Sequence, residues 1–321
     1  GPGGERAAGR VFVDAAGARQ WREGRLMPNA ELLMPGGLRE LTVALQRATP
    51  SSRLLAGGTD LIRSMHRDHW EPDLLIDLSG VRELDFVRLE ASTLRIGSMT
   101  TFGELQADPL VRRHARCLVE AAAQVGSAQI RNVATVGGNI ANASPCADSV
   151  TALVALGAEV RTIDGGGRSA LRPLEQIVLG LGRTSLAPDE AITEVRFAAL
   201  GADQRTTFAK IGSRSTVTVA RLSMALVVRY DAGAGTVSDV RVALGAVGEA
   251  AFRDAALEEL LEGRPANAES AHLFAAACMD AVRRAIPGRY SLPYKEHAAL
   301  GLAYDAWNAL GLCESCEPDW G

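Results

Sequence analysis

The first third of the chain mixes helix-spaced and strand-like apolar positions. In the stretch GGLRELTVALQRA, leucines recur at three- and four-residue intervals, which is the spacing of one helix face. The apolar runs at 53–55 and 72–79 are short and bounded by polar residues, as buried strands are. A helical pattern between them follows Thr59 and Asp60, either of which can cap its first turn. After 29 weakly patterned residues, the chain therefore predicts a small β-α-β unit.

A second unit, with a different pattern of apolar and polar residues, runs from about residue 91 to residue 204. The stretch TLRIGSM alternates between polar and apolar residues, which predicts a half-exposed strand. We expect one helix over FGELQADPLVRRH, capped by Thr100 or Thr101, and another over ARCLVEAAAQV. A helix at 147–156 and the strands EVRTID and EAITEVRF follow.

In the last third, strands come first and helices after them. TTFAKIG, ARLSMALVVRYDAG and TVSDVRVALGAV are joined by short polar or glycine turns, which predicts an antiparallel meander. Helical patterns follow in RDAALEELLEG, SAHLFAAACMDAVRRA and KEHAALGLAYDAWNALG. This order is typical of an α+β domain. The expected organisation is an N-terminal extension (1–29, partly disordered or left over from cloning), a domain over 30–204 with subdomains at 30–90 and 91–204, a C-terminal domain over 205–312, and a tail over 313–321.

Two glycine pairs, Gly57-Gly58 and Gly137-Gly138, interrupt these patterns, and each is expected between a strand and a capped helix. Because glycine lacks Cβ, successive backbone N–H groups there can close on an anion beside the positive end of a helix. Neither pair has the spaced-glycine dinucleotide fingerprint or the lysine of a P-loop. Taken singly, each pair is more commonly a tight turn. Together they suggest a two-sided cradle for a diphosphate.

The stretches around both pairs resemble the flavin-binding loops of a known family. LLAGGTDL (54–61) and QIRNVATVGGNIANASPCAD (129–148) are similar to the two loops of the FAD-binding (medium) subunit of molybdenum hydroxylases, the xanthine dehydrogenase and carbon monoxide dehydrogenase family. Later segments, among them LGRTSLAPDEAITEVRF and LPYKEHAALGLAYDAW, resemble family segments in the same order. The resemblance implies an α+β fold, in which an FAD-binding domain of two α/β subdomains (PCMH type, like vanillyl-alcohol oxidase) precedes a C-terminal antiparallel sheet with helices, like that of carbon monoxide dehydrogenase flavoproteins.

The resemblance also implies roles for individual residues. The first loop would offer its backbone N–H groups to the FAD pyrophosphate, and Thr135–Asn139, with the Thr135 hydroxyl as a further donor, would complete the cradle. Asp148 corresponds to an acid that accepts a hydrogen bond from a ribose hydroxyl, and Lys210 to a lysine that reaches the cofactor from the C-terminal domain. Val125 and Leu186 correspond to apolar contacts. The residues expected to bind FAD are Leu54, Leu55, Ala56, Gly57, Gly58, Thr59, Asp60, Leu61, Val125, Thr135, Val136, Gly137, Gly138, Asn139, Asp148, Leu186 and Lys210.

As to activity, the resemblance implies the electron-transfer subunit of an oxidoreductase complex. One partner would carry [2Fe–2S] clusters and another the molybdopterin centre, and this chain would pass electrons from the nearer cluster through FAD to NAD+, a quinone or dioxygen. The flavin ring does the chemistry, so no side chain is expected to act as a catalytic acid or base. Two alternatives remain open: a stand-alone FAD-dependent oxidoreductase without molybdenum partners, and a non-catalytic assembly module with a degenerate flavin fold.

Composition and charge argue against other classes of protein. The 321 residues carry a net charge of −4, and their arginines are scattered among acidic residues, so no nucleic-acid partner is expected. No apolar run approaches the roughly 18 residues needed to span a bilayer. The N-terminus has neither an apolar signal region nor a twin-arginine pair, which leads us to expect a cytoplasmic protein without an export signal.

The five cysteines form no regular framework, as expected of reduced thiols in the cytoplasm. Cys313 and Cys316 form a CxxC motif near the C-terminus. No second Cys/His pair accompanies it, so zinc would lack ligands, and the motif follows a helix instead of opening one, unlike a thioredoxin motif. A redox or metal role and a loose tail are both left open. No metal site is predicted.

Overall fold

The computed structural model describes residues 30–214, 217–313 and 316–317. The expected N-terminal extension, and much of the expected tail, lie outside the described residues. The helices are α1 (Leu38–Leu45), α2 (Leu61–Asp68), α3 (Phe102–Ala107), α4 (Pro109–His114), α5 (Arg116–Ala123), α6 (Ala128–Arg131), α7 (Val136–Asn142), α8 (Asp148–Ala155), α9 (Leu174–Ile177), α10 (Ala255–Leu261), α11 (Ala268–Ala285) and α12 (Leu292–Ala309). The strands are β1 (Glu31–Leu33), β2 (Arg53–Leu55), β3 (Leu74–Asp77), β4 (Val87–Glu90), β5 (Thr93–Gly97), β6 (Glu159–Asp164), β7 (Ser169–Pro173), β8 (Val178–Gly180), β9 (Arg183–Thr184), β10 (Glu190–Ala198), β11 (Gln204–Gly212), β12 (Ala220–Asp231), β13 (Thr236–Gly245) and β14 (Phe252–Arg253).

The first unit is a three-stranded parallel sheet in the order β1-β3-β2. Leu41 and Leu45 of α1 are fully buried against its central strand residues Leu74 and Ile76. The predicted β-α-β unit is therefore present, with β1 added at its edge. The sequence did not predict β1, although its three residues have the same polar-apolar-apolar pattern as β2, because β1 is defined by its parallel pairing with β3.

The second unit is a five-stranded antiparallel sheet in the order β4-β5-β10-β6-β7. The single helix expected over FGELQADPLVRRH is wrong: it is two helices that meet at Asp108. The Asp108 carboxylate accepts hydrogen bonds from the backbone N–H groups of Leu110 and Val111, and Pro109 occupies the first position of α4. Thr101 caps α3 in a reciprocal arrangement with Glu104, as one of the two predicted caps.

The third unit confirms the predicted antiparallel meander and its following helices. Its sheet runs β11-β12-β13-β14, and α10, α11 and α12 cover one face through a core that includes Phe274 and Trp307. Every residue of α8 is buried, because this helix packs against both α5 and the strands β12 and β13. Helix α8 thus joins the second unit to the third. No helix in the part of the chain that the structure describes combines the length and the apolar character needed to cross a membrane.

Candidate functional site

The two glycine segments, the first at 54–61 and the second at 135–139, lie against each other although about eighty residues separate them in the chain. A Cβ on Gly57 would lie 2.1 Å from the Val133 carbonyl oxygen, immediately before the second segment. A Cβ on Gly138 would lie 3.4 Å from the Ala56 Cβ. Only glycine at position 57 permits this approach of backbone to backbone. The fold therefore brings the two predicted loops together, as a cradle requires.

The first segment, between β2 and α2, presents donors that the described residues do not use. Within the described ranges, the backbone N–H groups from Gly57 to Asp60 donate to no other group. Gly58 adopts φ +70°, which lets the chain turn sharply into α2. Asp60 caps α2 by position, but its side chain makes no capping hydrogen bond, so the predicted capping by Thr59 or Asp60 side chains is absent. Unused N–H groups beside the positive end of a helix are the arrangement that suits an anion.

The second segment differs from the loop that the sequence predicted. It follows α6, not a strand, and Gly137 and Gly138 lie inside the first turn of α7. Its backbone N–H groups are already used: Val136 donates to Thr100, Gly137 to Ser98, and both Gly138 and Asn139 to Thr135. The Thr135 side chain caps α7 by accepting from the Gly138 N–H at 3.1 Å. This segment therefore contributes shape and the Thr135 hydroxyl more than backbone donors.

The two glycines of the second segment meet different surroundings. A Cβ on Gly137 would meet Ser98 at 2.5 Å, so this glycine seats α7 against the chain that follows β5. Gly137 is buried, whereas Gly138 lines a cleft between the two segments. Gly137 and Gly138 thus satisfy two separate steric demands, one from the protein interior and one from the cleft.

The cleft has a volume of about 700 Å³ and extends from the first unit across to the segment between β9 and β10. That volume falls in the range of cofactor sites, roughly 300–1,000 Å³. The predicted residues that line it are Leu54, Ala56, Gly57, Gly58, Thr59, Asp60, Leu61, Val125, Thr135, Gly138, Asn139 and Leu186. Leu55, Val136, Gly137, Asp148 and Lys210 do not line it. Most of the predicted set therefore surrounds one open space.

Asp148 and Lys210 form a buried ion pair between the second and third units. The Lys210 Nζ lies 2.5 Å from Asp148 Oδ2, and the two side chains are only 3% and 7% exposed. Lys210 also donates to the Gln124 carbonyl, next to the cleft-lining Val125. The other carboxylate oxygen, Oδ1, is buried and has no hydrogen-bond partner among the described residues. The pair therefore retains an unused acceptor.

Burial also changes the protonation of this carboxyl group. Desolvation raises the pKa of Asp148 to about 6, and the positive charge of Lys210 opposes that rise. Ser149, the next residue, donates its hydroxyl to the Asn139 side chain at 2.7 Å, which ties the start of α8 to the second glycine segment. Asp148 is thus a desolvated group whose charge depends on its neighbours near neutral pH.

Sequence reasoning missed one end of the cleft. Arg53, Arg63, Arg67 and Trp70 line it, and the Arg53 guanidinium lies 5.2 Å from the centre of the Trp70 ring. Arg63 and Arg67 stand four residues apart on α2, on one helix face. That spacing was a usable signal, but the pattern alone did not distinguish a cleft wall from a solvated surface.

Comparisons with known proteins agree with this architecture. The family described as "FAD binding domain in molybdopterin dehydrogenase" matches residues 28–198, and the "CO dehydrogenase flavoprotein C-terminal domain" matches residues 207–310. The FAD-subunit of nicotinate dehydrogenase from Eubacterium barkeri is 33% identical over 254 residues, which cover 78% of this chain and 84% of that protein. The carbon monoxide dehydrogenase medium chain of Hydrogenophaga pseudoflava is 30% identical over 282 residues, 88% of this chain and 97% of that one.

Solved structures support the same assignment. A chain of the Hydrogenophaga pseudoflava carbon monoxide dehydrogenase superposes with a TM-score of 0.81 at 30% identity and covers 89% of this chain and 99% of its own length. The resemblance inferred from the glycine segments is confirmed, as are the fold class and the cofactor, FAD. The chain belongs to the FAD-binding subunits of the molybdenum hydroxylase family, the oxidoreductase family of xanthine and carbon monoxide dehydrogenases.

Proposed function

We propose that this chain carries electrons from a [2Fe–2S] cluster of an iron–sulfur partner, which draws them from a molybdopterin-containing partner, through FAD to NAD+, a quinone or dioxygen. Its relatives are named as subunits and medium chains, which supports a role inside a complex. The observation that carries the proposal is the run of unused backbone N–H groups, Gly57 to Asp60, at the wall of the cleft. When bound, FAD can accept electrons singly and hold two, which suits a relay between unlike redox partners.

The residues of the cleft fit FAD by their donor set. The Gly57–Asp60 N–H groups would hold the pyrophosphate, with the Thr135 hydroxyl as a side-chain donor. Gly57 and Gly138 would keep the cleft free of side chains where the two segments face each other. Val125 and Leu186 would make apolar contacts with the rings.

Asp148 and Lys210 do not line the cleft themselves and would act from beside Gln124, which precedes the cleft-lining Val125. The unused Asp148 Oδ1 is an acceptor suited to a ribose hydroxyl, because a carboxylate forms strong charge-assisted hydrogen bonds. Lys210, already held by that carboxylate, would place a positive charge near the flavin and favour its reduced, anionic form. Neither residue transfers a proton in this proposal.

The metal content of the complex tests the proposal. The chain, tagged and isolated under mild conditions from cells that express its neighbouring genes, should co-elute with iron and molybdenum and should show a flavin spectrum that bleaches on anaerobic reduction. FAD without iron or molybdenum, reduced directly by a soluble donor, would instead support a stand-alone oxidoreductase. Bound FAD that cannot be reduced would support the non-catalytic module.

The pKa of Asp148 leads to a second expected result, on pH. If the ionised carboxylate binds a ribose hydroxyl, FAD affinity should be constant above about pH 6 and should fall as Asp148 protonates, by up to about tenfold per pH unit below the pKa. Fluorescence titration of the apoprotein with FAD between pH 4.5 and pH 8 measures this. The matched control, Asp148→Asn, should bind more weakly and show a flat profile below pH 6. If Asp148→Asn instead showed the same dependence of FAD affinity on pH as the wild-type protein, Asp148 would not bind FAD.

Stability without FAD should change with pH in the opposite sense. The folded protein retains the Asp148 proton up to a pKa of about 6, whereas the unfolded chain loses it near the ordinary aspartate value. Because the folded state then binds more protons between those values, this group lowers the free energy of unfolding as the pH rises through that window.

A further inference from the structure

The end of helix α12 brings two thiols together. The Sγ atoms of Cys313 and Cys316 are 4.0 Å apart, and neither residue lines the FAD cleft. A disulfide bond is about 2 Å long, so rotation of the two side chains covers most of the remaining separation. The CxxC spacing that the sequence left unassigned is therefore a close dithiol in the folded protein.

Residues of α12 hold both cysteines in place. The Asn308 side chain donates to the Cys316 carbonyl and accepts from the Cys316 N–H, each at 2.9 Å. The fully buried Trp307 donates its indole N–H to Cys313 Sγ at 3.4 Å. Because the clamp and the indole belong to consecutive helix residues, the two sulfurs share one rigid support. This arrangement argues against a loose tail at these positions.

The two thiols differ in exposure and therefore in reactivity. Cys313 is half-buried, whereas Cys316 is 8% exposed. Burial and the neighbouring Cys313 raise the pKa of the Cys316 thiol. The more accessible sulfur, which also receives the indole N–H, is the one that an oxidant meets first. Cys316 then stands close enough to resolve the adduct.

Metal binding is not an alternative in the described part of the chain. No group of three or more histidine, cysteine or acidic side chains there is arranged to hold an ion. Two thiolates alone leave zinc's tetrahedral site half filled. Among the described residues, the pair stands as a close dithiol, which is suited to redox chemistry.

We propose that Cys313 and Cys316, which follow α12 in the chain, are a redox-modification site that forms a reversible disulfide. With a small disulfide as oxidant, the Cys313 thiolate attacks one of its sulfurs and releases one small thiol. Cys316 then attacks Cys313 Sγ and releases the second. Overall, two S–H bonds of the protein and the S–S bond of the small disulfide are broken, one protein S–S bond forms, and the two electrons and two protons end on the two released thiols.

Mass spectrometry of the full-length, FAD-loaded protein tests this site. The protein is incubated with oxidised glutathione at about pH 8, where more thiolate is present, then alkylated and digested. The peptide with both cysteines should be lighter by two hydrogens, carry no glutathione and resist alkylation, and dithiothreitol should reverse all three. Cys146 is the matched control, because it is also half-buried and no second cysteine contacts it in the described ranges. Cys146 should stay alkylated or carry a glutathione adduct.

Two variants separate the roles of the sulfurs. Cys316→Ser should trap glutathione on Cys313, and Cys313→Ser should leave the buried Cys316 unmodified. Oxidation should also quench Trp307 fluorescence in the wild-type protein but not in Cys313→Ser, because a disulfide in contact with the indole is an effective quencher. Full alkylation of both cysteines after oxidation, a lasting adduct on wild-type Cys313, or a disulfide between two chains on a non-reducing gel would each overturn the proposal.

Discussion

Replacing Gly138 with valine should yield a folded protein that has lost its FAD. A Cβ at this position points into the narrow space between the two segments, 2.9 Å from Thr135 Oγ1 and 3.4 Å from the Ala56 Cβ, and the valine methyl groups extend further. Displacing the diphosphate from even two charge-assisted donors costs at least about 3 kcal/mol, which is roughly a hundredfold in affinity. The FAD-to-protein absorbance ratio and a fluorescence titration measure the loss.

Two other glycines make this prediction selective. Gly137→Ala places its Cβ 2.5 Å from Ser98 and should reduce thermal stability, because the clash lies in the protein interior. Gly301→Ala, in the middle of α12, meets no atom within 4 Å and should retain both stability and FAD. If Gly138→Val purified with its full complement of FAD, the second glycine segment would not lie beside the diphosphate.

Removal of the Lys210 charge should produce the largest loss of stability. In Lys210→Met, Asp148 keeps its buried position but loses its positive partner, and its Oδ1 already has no hydrogen bond among the described residues. Breaking a buried ion pair from one side typically costs about 3–5 kcal/mol. The pKa of Asp148 should rise further, and the proton that the group then takes up near neutral pH relieves part of this cost, so the loss should be largest at about pH 8 and above. Denaturant unfolding of the FAD-free protein measures the effect.

A double variant distinguishes the ion pair from simple packing. Asp148→Asn combined with Lys210→Met removes both charges and should recover most of the stability that Lys210→Met loses. Arg47→Met removes an exposed pair with Glu31, both side chains about half exposed, and should change stability little. If the single and double variants were equally unstable, the buried charges would not be coupled and Lys210 would contribute only its aliphatic packing.

The stability of Lys210→Met also measures the interface between the FAD-binding unit and the C-terminal sheet. Asp148 begins α8 and Lys210 lies on β11, so their contact crosses from the FAD-binding unit to the C-terminal sheet. In the proposed function, FAD would contact both sides of this interface. Binding of FAD should therefore restore part of the stability lost in the variant, as binding to the folded state alone always does.

Local sequence was sufficient for most of the secondary structure and for the family. Amphipathic spacing predicts α1, α11 and α12, and apolar alternation predicts the meander β11 to β13, because both signals depend on neighbours within a few residues. The break at Asp108 was also readable, since an aspartate before a proline is a strong helix-start signal. The short strand β1 was not readable, because it is defined by its parallel partner β3 and not by its own three residues.

The surroundings of the glycine pairs could not be predicted from the sequence. Their composition indicated a backbone that approaches something closely, but not that Gly57 approaches Val133 and Gly137 approaches Ser98, nor that Gly137 alone of the four glycines does not line the cleft. Nor does the sequence indicate which backbone N–H groups remain unused. The second segment is helical, and its donors are consumed by Thr100, Ser98 and Thr135.

The sequence by itself determined most of the elements, the family and the cofactor, because these depend on the residue types and their order within short segments. The tertiary structure decided which groups are available to act. It paired Asp148 with Lys210 across 62 positions, left one oxygen of that pair without a partner, and set two cysteine sulfurs 4.0 Å apart. The free energies of these contacts arise from burial and from neighbours distant in sequence, and no local pattern contains that information.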